Sequence, residues 1–267
     1  MFSGKVVIVT GSSAGIGQAT AVLFAKNGAS VTIHGRSEEK LKETVKLIEK
    51  AGGSSSKVLM ILGEITDKTV QANLINKTIE KFGKLDVLVN NAGIARKSGS
   101  EARDLDNLDY VLDVNLKAPI ALTELAIPHL EKTKGNVVNV SSVAGQKAVT
   151  DFPFYSITKA GLDHFAINYA ALLAAKGIRV NNLSPGLTIT EFASRHGIPP
   201  QMLETIMKQY VSVIPLQRAG TSEEMAEFIA FIASDKASYM TGQIIAVDGG
   251  ILVHTPSPKF EGLDKLN

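Results

Sequence analysis

The sequence predicts an α/β domain, doubly wound around a mostly parallel sheet of seven strands with helices on both faces. Three observations carry this. Seven short runs rich in β-branched residues recur along the chain. Each is continuously apolar instead of alternating, as in strands covered on both faces. Stretches with apolar residues at helical spacing lie between the runs, and such alternation builds right-handed βαβ units.

The elements follow in order. KVVIVT (5–10) is the first strand, and the helix in GIGQATAVLFAKNG ends at Gly28. SVTIH (30–34) is the second strand. SEEKLKETVKLIEKAGG then starts at Ser37 as N-cap, with Glu in its first turn, and stops at Gly52 and Gly53. KVLMIL (57–62) is the third strand, with Thr66 or Asp67 placed to cap the next helix. LDVLV (85–89) and NVVNVS (136–141) are the fourth and fifth. Pro153 suits the first turn of a helix in FPFYSITKAGLDHF. IRVNNLS (178–184) is the sixth strand, TSEEMAEFIAFIAS has Thr221 and Glu224 in capping-box register, and IIAV (244–247) is the seventh strand. No linker, repeat or low-complexity run interrupts residues 1–250, so one domain is expected, with 187–214 as a substrate lid and 251–267 as a tail.

Composition removes several function classes. With 267 residues and 45% apolar content the chain can bury one large core. The net charge is only +2 and the basic residues are scattered, which gives nucleic acid or a membrane surface no electrostatic handle. There is no cysteine, so disulfides, thiolate metal sites and thiol nucleophiles are excluded. The five histidines (34, 129, 164, 196 and 254) lack metal-ligand spacing, so no metal is expected, and His196 reads as a surface residue. The start, MFSGKVVIVTG, reads directly as strand, and no run of about eighteen apolar residues exists to span a membrane. A cytoplasmic protein is expected.

In a sheet of this kind ligands bind beyond the carboxyl ends of the strands. The first strand ends in TGSSAGIG, with glycines at 11, 15 and 17 in G-x-x-x-G-x-G spacing. Gly11, Ser13, Gly15, Ile16 and Gly17 are candidate contacts to a pyrophosphate at a helix N-terminus. The second strand ends in IHGR, without the acidic residue that would hold a ribose 2′-hydroxyl. Gly35 leaves space and Arg36 suits a 2′-phosphate, so NADP(H) is expected over NAD(H). Glu64 and Ile65 end the third strand where an adenine could rest. Asn90, Asn91, Ala92 and Gly93 end the fourth in a corner of small residues that admits a flat ring or a ribose, and the Asn side chains can pin the loop to neighbouring strands.

The fifth strand ends at Ser141 and Ser142, and Tyr155 and Lys159 follow at i and i+4 of one helix, hence on one face. An ammonium beside a phenol favours the phenolate, so Lys159 is expected to lower the pKa of Tyr155. Ser142 can bond the same substrate oxygen as Tyr155. A carbonyl so held beside a nicotinamide is ready for hydride transfer.

These motifs together resemble the short-chain dehydrogenase/reductase family, in order from Val6 to Gly250: TGSSAGIG, NNAG (90–93), VNL (114–116), SS (141–142), YSITK (155–159), SPG (184–186) and VDGG (247–250). The resemblance implies a single-domain Rossmann-type fold. It implies Tyr155 as the general acid or base, Ser142 orienting the carbonyl, and Lys159 binding the nicotinamide ribose. It further implies Asn115 holding a water that links Lys159 to solvent. Pro185, Gly186, Thr188 and Thr190 match the segment that wraps the nicotinamide end in that family. The implied activity is NADP(H)-dependent interconversion of a small-molecule carbonyl and an alcohol, in a homo-oligomer, as a tetramer. Ala160, Gly161, Phe165 and Leu172, with the stretch 118–130, would form the contact. Phe192, Ile198, Met202, Ile206, Met207 and Tyr210 would give the lid an apolar surface. Two departures from the family pattern are Ala14, where NADP-preferring relatives often carry a basic residue, and Glu64 in place of an Asp. Two other readings are a catalytically silent dinucleotide-binding protein and an NAD-dependent alcohol or steroid-type dehydrogenase; the complete Asn115, Ser142, Tyr155 and Lys159 set weighs against the first.

Overall fold

All seven expected strands form, and every neighbouring pair is parallel. The computed structural model describes residues 1–190 and 200–254, with 200–204 described by backbone only. The strands are β1 (Val6–Val9), β2 (Ser30–Gly35), β3 (Val58–Leu62), β4 (Val87–Asn90), β5 (Asn136–Val140), β6 (Arg179–Pro185) and β7 (Ile244–Val247), in the order β3-β2-β1-β4-β5-β6-β7. The order reverses between β1 and β4, which is the switch point where such sheets bind ligands.

The helices are α1 (Gly15–Lys26), α2 (Glu38–Lys50), α3 (Lys68–Phe82), α4 (Leu105–Leu112), α5 (Ala118–Thr133), α6 (Pro153–Leu173), α7 (Pro200–Ser212) and α8 (Ser222–Ala233). The caps follow the sequence. Ser37 accepts from Lys40 N, Asp67 rather than Thr66 accepts from Thr69 N, and Thr221 and Glu224 close a capping box. A π-turn over Asp113–Lys117 joins α4 to α5.

Pleating sends alternate strand residues to opposite faces. Val7 and Val9 join one core with Phe24, Leu41, Ile48 and Ile229, under α1, α2 and α8. Ile8 joins the other with Leu74, Leu122, Leu130 and Leu173, under α3, α5 and α6. Each fully buried Leu or Ile contributes about 1.5–3 kcal/mol, so these two layers fix the sheet and leave the strand ends for the site.

The expected contact surface on α6 needs correction. Phe165 is buried within the chain against Tyr169, at 4.2 Å between ring centroids, and Gly161 is packed on Leu116. Ala160 and Leu172 do face outward as expected, and Ile157 and Ile167 stand there in place of Gly161 and Phe165. Of the expected lid, Phe192, His196 and Ile198 lie outside the described residues, as does the Met202 side chain. Residues 255–267 of the tail also lie outside them.

Candidate functional site

The glycine loop after β1 has a shape that side chains would spoil. Gly11 and Gly15 have φ of +63° and +59°, the left-handed region that favours glycine. A Cβ on Gly11 would lie 2.8 Å from Ala92 Cα, and one on Gly17 would collide with the Asn91 amide nitrogen and the Gly11 carbonyl. Ala14 is extended and caps nothing, and the first turn of α1 holds no acidic residue. Among the described residues the leading amides of α1 therefore have no side-chain cap, unlike those of α2, α3 and α8. This cradle and helix terminus fit the pyrophosphate of a dinucleotide. Ile16 is half-buried against the core.

Side chains hold the loop in place. Thr10 Oγ1 accepts from the amides of Asn91 (2.9 Å) and Ala92 (3.0 Å), and the Asn91 side chain donates to the carbonyls of Thr10 and Gly11. The Asn91 side-chain amide is thus spent on the loop, as the sequence allowed. His34 does the same from β2. Gly11 N–H donates to its Nδ1 (3.2 Å), which leaves Nε2–H to donate to the Gly63 carbonyl (3.1 Å).

Burial pushes the His34 pKa down to about 4, with the Gly63 carbonyl opposing and the Arg36 charge assisting. The folded protein therefore keeps His34 neutral while the unfolded chain takes up a proton below its ordinary value of 6.5. This contribution to stability is complete above pH 6.5 and is lost as pH falls towards 4. The shift is worth about 3 kcal/mol. Thermal unfolding followed across that window should fall more steeply for the native protein than for His34→Gln; parallel curves would show that His34 does not carry the effect.

At the adenosine end, Arg36 Nη1 lies 3.3 Å from Glu64 Oε1, with both side chains about half exposed. The space expected beside Gly35 is already taken: a Cβ there would lie 2.9 Å from Ser13 Cβ and 3.0 Å from its Oγ. This corrects the sequence reading, and it places the Ser13 hydroxyl beside Gly35, the residue before Arg36. The Ile65 side chain is 5% exposed and belongs to the core under α3.

The reactive groups meet at the end of β5. Ser142 caps the turn Val143–Gly145 by accepting from Ala144 N (3.1 Å), and it is hydrogen-bonded to the Tyr155 phenol. Lys159 is buried, donates to the Val140 carbonyl at 2.7 Å, and sets its Nζ 5.6 Å from the centroid of the Tyr155 ring. Gly93 brings the corner after β4 to the same point, its Cβ position being 3.6 Å from Lys159 Nζ and 3.3 Å from Asn115 Oδ1. Asn115, on the π-turn and fully buried, accepts from Ile94 N (2.9 Å) and donates to Ile94 O (2.8 Å) and Thr158 Oγ1 (3.1 Å). Its side chain is spent on these bonds, whereas a π-turn takes backbone carbonyls out of the regular helical ladder.

The expected lowering of the Tyr155 pKa is not found. Burial raises it to about 12, against the Ser142 hydrogen bond and with help from the charge of Asp163. Burial lowers Lys159 to about 8, against the same Asp163 charge. The reason is geometric: Lys159 bonds a carbonyl and faces the ring of Tyr155, while both groups are withdrawn from water.

The stretch after β6 closes the crevice. Pro185 ends the strand against Val247, and Gly186 packs so closely on Asp248 that a Cβ would lie 2.7 Å from its Cα. Thr188 bonds the Gly186 carbonyl, and the Thr190 methyl lies 3.2 Å from the Gly15 Cβ position, across from the glycine loop. Among the described residues no cluster could hold a metal, and no helix is long and apolar enough to cross a membrane.

The sequence reading missed His34 and Asp163. Asp163 had a visible signal, since it continues the Tyr155–Lys159 spacing by one more turn.

The comparisons agree with this architecture. A family model described as enoyl-(acyl carrier protein) reductase matches residues 11–252. An uncharacterized oxidoreductase of Thermotoga maritima is 41% identical over 93% of this chain and 98% of its own length. The 3-oxoacyl-(acyl-carrier-protein) reductase FabG of the same organism is 38% identical over 94% and 98%. Among solved structures, a Caenorhabditis elegans short-chain dehydrogenase/reductase of unknown function superposes with TM-score 0.91 at 44% identity, covering 95% of this chain and 97% of that one. A C. elegans glucose dehydrogenase gives 0.83 at 44% identity, covering 95% and 99%. Fold and site thus define an oxidoreductase that works with a nicotinamide cofactor on a small molecule. The chain belongs to the short-chain dehydrogenase/reductase family.

Proposed function

We propose that the protein is an NADP(H)-dependent oxidoreductase that interconverts a carbonyl and a secondary alcohol. The observation that carries this reading is the Tyr155 phenol bonded to Ser142 with the Lys159 ammonium beneath its ring. The Ser142 and Tyr155 hydroxyls are close enough to bond each other, so a carbonyl oxygen bound beside them would accept from both. The cofactor, when bound, supplies or takes the hydride. In reduction the Tyr155 proton goes to the substrate oxygen as the carbonyl carbon gains hydride, and Lys159 stabilises the phenolate left behind. The phenol's high pKa keeps it protonated at neutral pH, as an acid must be. A water on a backbone carbonyl of the π-turn at Asn115 would return the proton by way of Lys159.

For the cofactor, the glycine cradle and α1 terminus would take the pyrophosphate, and Lys159 the nicotinamide ribose. Arg36 and the Ser13 hydroxyl beside Gly35 would take a 2′-phosphate, with Glu64 and the backbone of Ile65, whose side chain is in the core, flanking the adenine. Pro185, Gly186, Thr188 and Thr190 would cover the nicotinamide end. The half-buried Ile206 and Met207 of α7, with Tyr210, favour an apolar substrate. A homo-oligomer, as a tetramer, is supported by the exposed Ile157, Ile167 and Leu172 of α6 and Leu125 of α5; a monomer in sedimentation would remove that part.

The test is to incubate the protein with NADPH and a panel of diketones, quinones, aldehydes and oxoacyl thioesters while following absorbance. Oxidation of NADPH with at least one class is expected. Bound NADPH without turnover across the panel would leave a silent binding protein as the better account.

A further inference from the structure

A row of buried polar side chains crosses the sheet below the site. Asn90 donates to Asn139 Oδ1 (2.8 Å), Asn139 to Asn182 Oδ1 (2.8 Å), and Asn182 to Asp163 Oδ1 (2.9 Å). The register of β4, β5 and β6 sets these asparagines side by side. Asn139 and Asn182 each accept from one neighbour and donate to the next, so the row runs in one direction and needs an acceptor at its end. Asp163 supplies it. A core built for stability alone would have no use for these groups, which cost free energy wherever they are imperfectly bonded.

Asp163 is 5% exposed and stands one turn below Lys159 and two below Tyr155 on the same face of α6. Its Oδ2 is buried without a hydrogen bond of good geometry. The Ser141 hydroxyl lies beside the carboxyl group but is directed to the Lys159 carbonyl at 3.3 Å. Gly145 approaches from the turn after β5 so closely that a Cβ there would lie 2.9 Å from Oδ2. The groups that face Asp163 from β5, β6 and this turn are neutral: Ser141, Asn182 and Gly145. The titratable groups that act with it are Lys159 and Tyr155, both on α6. Among the described residues no carboxylate lies within ion-pair distance of Lys159 Nζ, whose one hydrogen bond is to a carbonyl.

We propose that Asp163 is the counter-charge that keeps Lys159 an ammonium, and that the asparagine row exists to fix this carboxylate. It is a positioning residue, acting through Lys159 and Tyr155, and in this sense rests on the function proposed above. The sign of its effect is definite. A negative charge below the pair favours the Lys159 ammonium and disfavours the Tyr155 phenolate. Removing it lets both groups lose their protons at lower pH, so both limbs of the pH–rate profile move to the acid side together.

The test uses the whole chain labelled with carbon-13 at lysine Cε, with the Lys159 resonance assigned by its absence from Lys159→Met. The native midpoint near 8 is expected to fall by about one pH unit in Asp163→Asn, the change that losing a nearby opposite charge produces. NADPH affinity is expected to stay unchanged at low pH, where Lys159 is charged in both proteins. Asp163→Ser, read in the same way, serves if the first variant does not fold. An unmoved midpoint in a folded variant overturns the inference, and so does failure of both variants to fold, which would give Asp163 a role in folding alone. The midpoint needs no turnover. Its movement in a protein that reduces no carbonyl would sink the proposed reaction and keep this inference; an unmoved midpoint in an active enzyme would do the reverse.

Discussion

Tyr155→Phe is expected to lower kcat by about 10²–10⁴-fold, the range for loss of a general acid, while NADPH binding is kept. The variant retains the ring that lies over Lys159 and loses only the hydroxyl bonded to Ser142. Ser142 still offers one hydrogen bond to the substrate oxygen, so KM should change little compared with kcat. Steady-state kinetics on the best substrate of the panel, with NADPH binding followed by fluorescence, decide the matter. A fall of less than about tenfold would mean that another group delivers the proton.

Arg36→Ala is expected to weaken NADPH by about ten- to a hundred-fold and to leave NADH nearly untouched, since a hydrogen bond to a charged group contributes roughly 1.5–3 kcal/mol. The contact with Glu64 refines the expectation. That pair is exposed and contributes little to stability, so Arg36 is free to exchange a carboxylate for a phosphate. The Glu64 charge nevertheless repels the phosphate, and Glu64→Gln should raise kcat/KM for NADPH relative to NADH. Equal loss of both cofactors in Arg36→Ala would show that the residue supports the loop and not the 2′-phosphate.

The strands were legible because each is buried on both faces, and continuous apolar runs such as VVIV record that directly. The pairing of Tyr155 with Lys159 was legible because helical spacing fixes which residues share a face. What surrounds that face is not written in spacing. Phe165 was read as outward because it is apolar and one helix-turn pattern allows it, yet α6 turns it into the chain. The direction of the Tyr155 shift was misread for a similar reason. A neighbouring ammonium is visible in sequence, whereas withdrawal from water and the charge of Asp163 depend on packing between α6 and the ends of β5 and β6. His34 escaped notice because its partners, Gly11 and Gly63, use backbone atoms that no residue type reveals.

The contact between Gly35 and Ser13 constrains how this protein could change cofactor over generations of substitution. An aspartate at 35, the direct route to an NADH-preferring site, would enter a place that the Ser13 side chain fills. The first step on that path is thus penalised before any benefit accrues. If Ser13 becomes glycine first, the room appears at the cost of one hydroxyl beside Gly35, and the second step becomes passable. The two positions must therefore be altered in a set order, and a library that varies residue 35 alone would miss the exchange entirely.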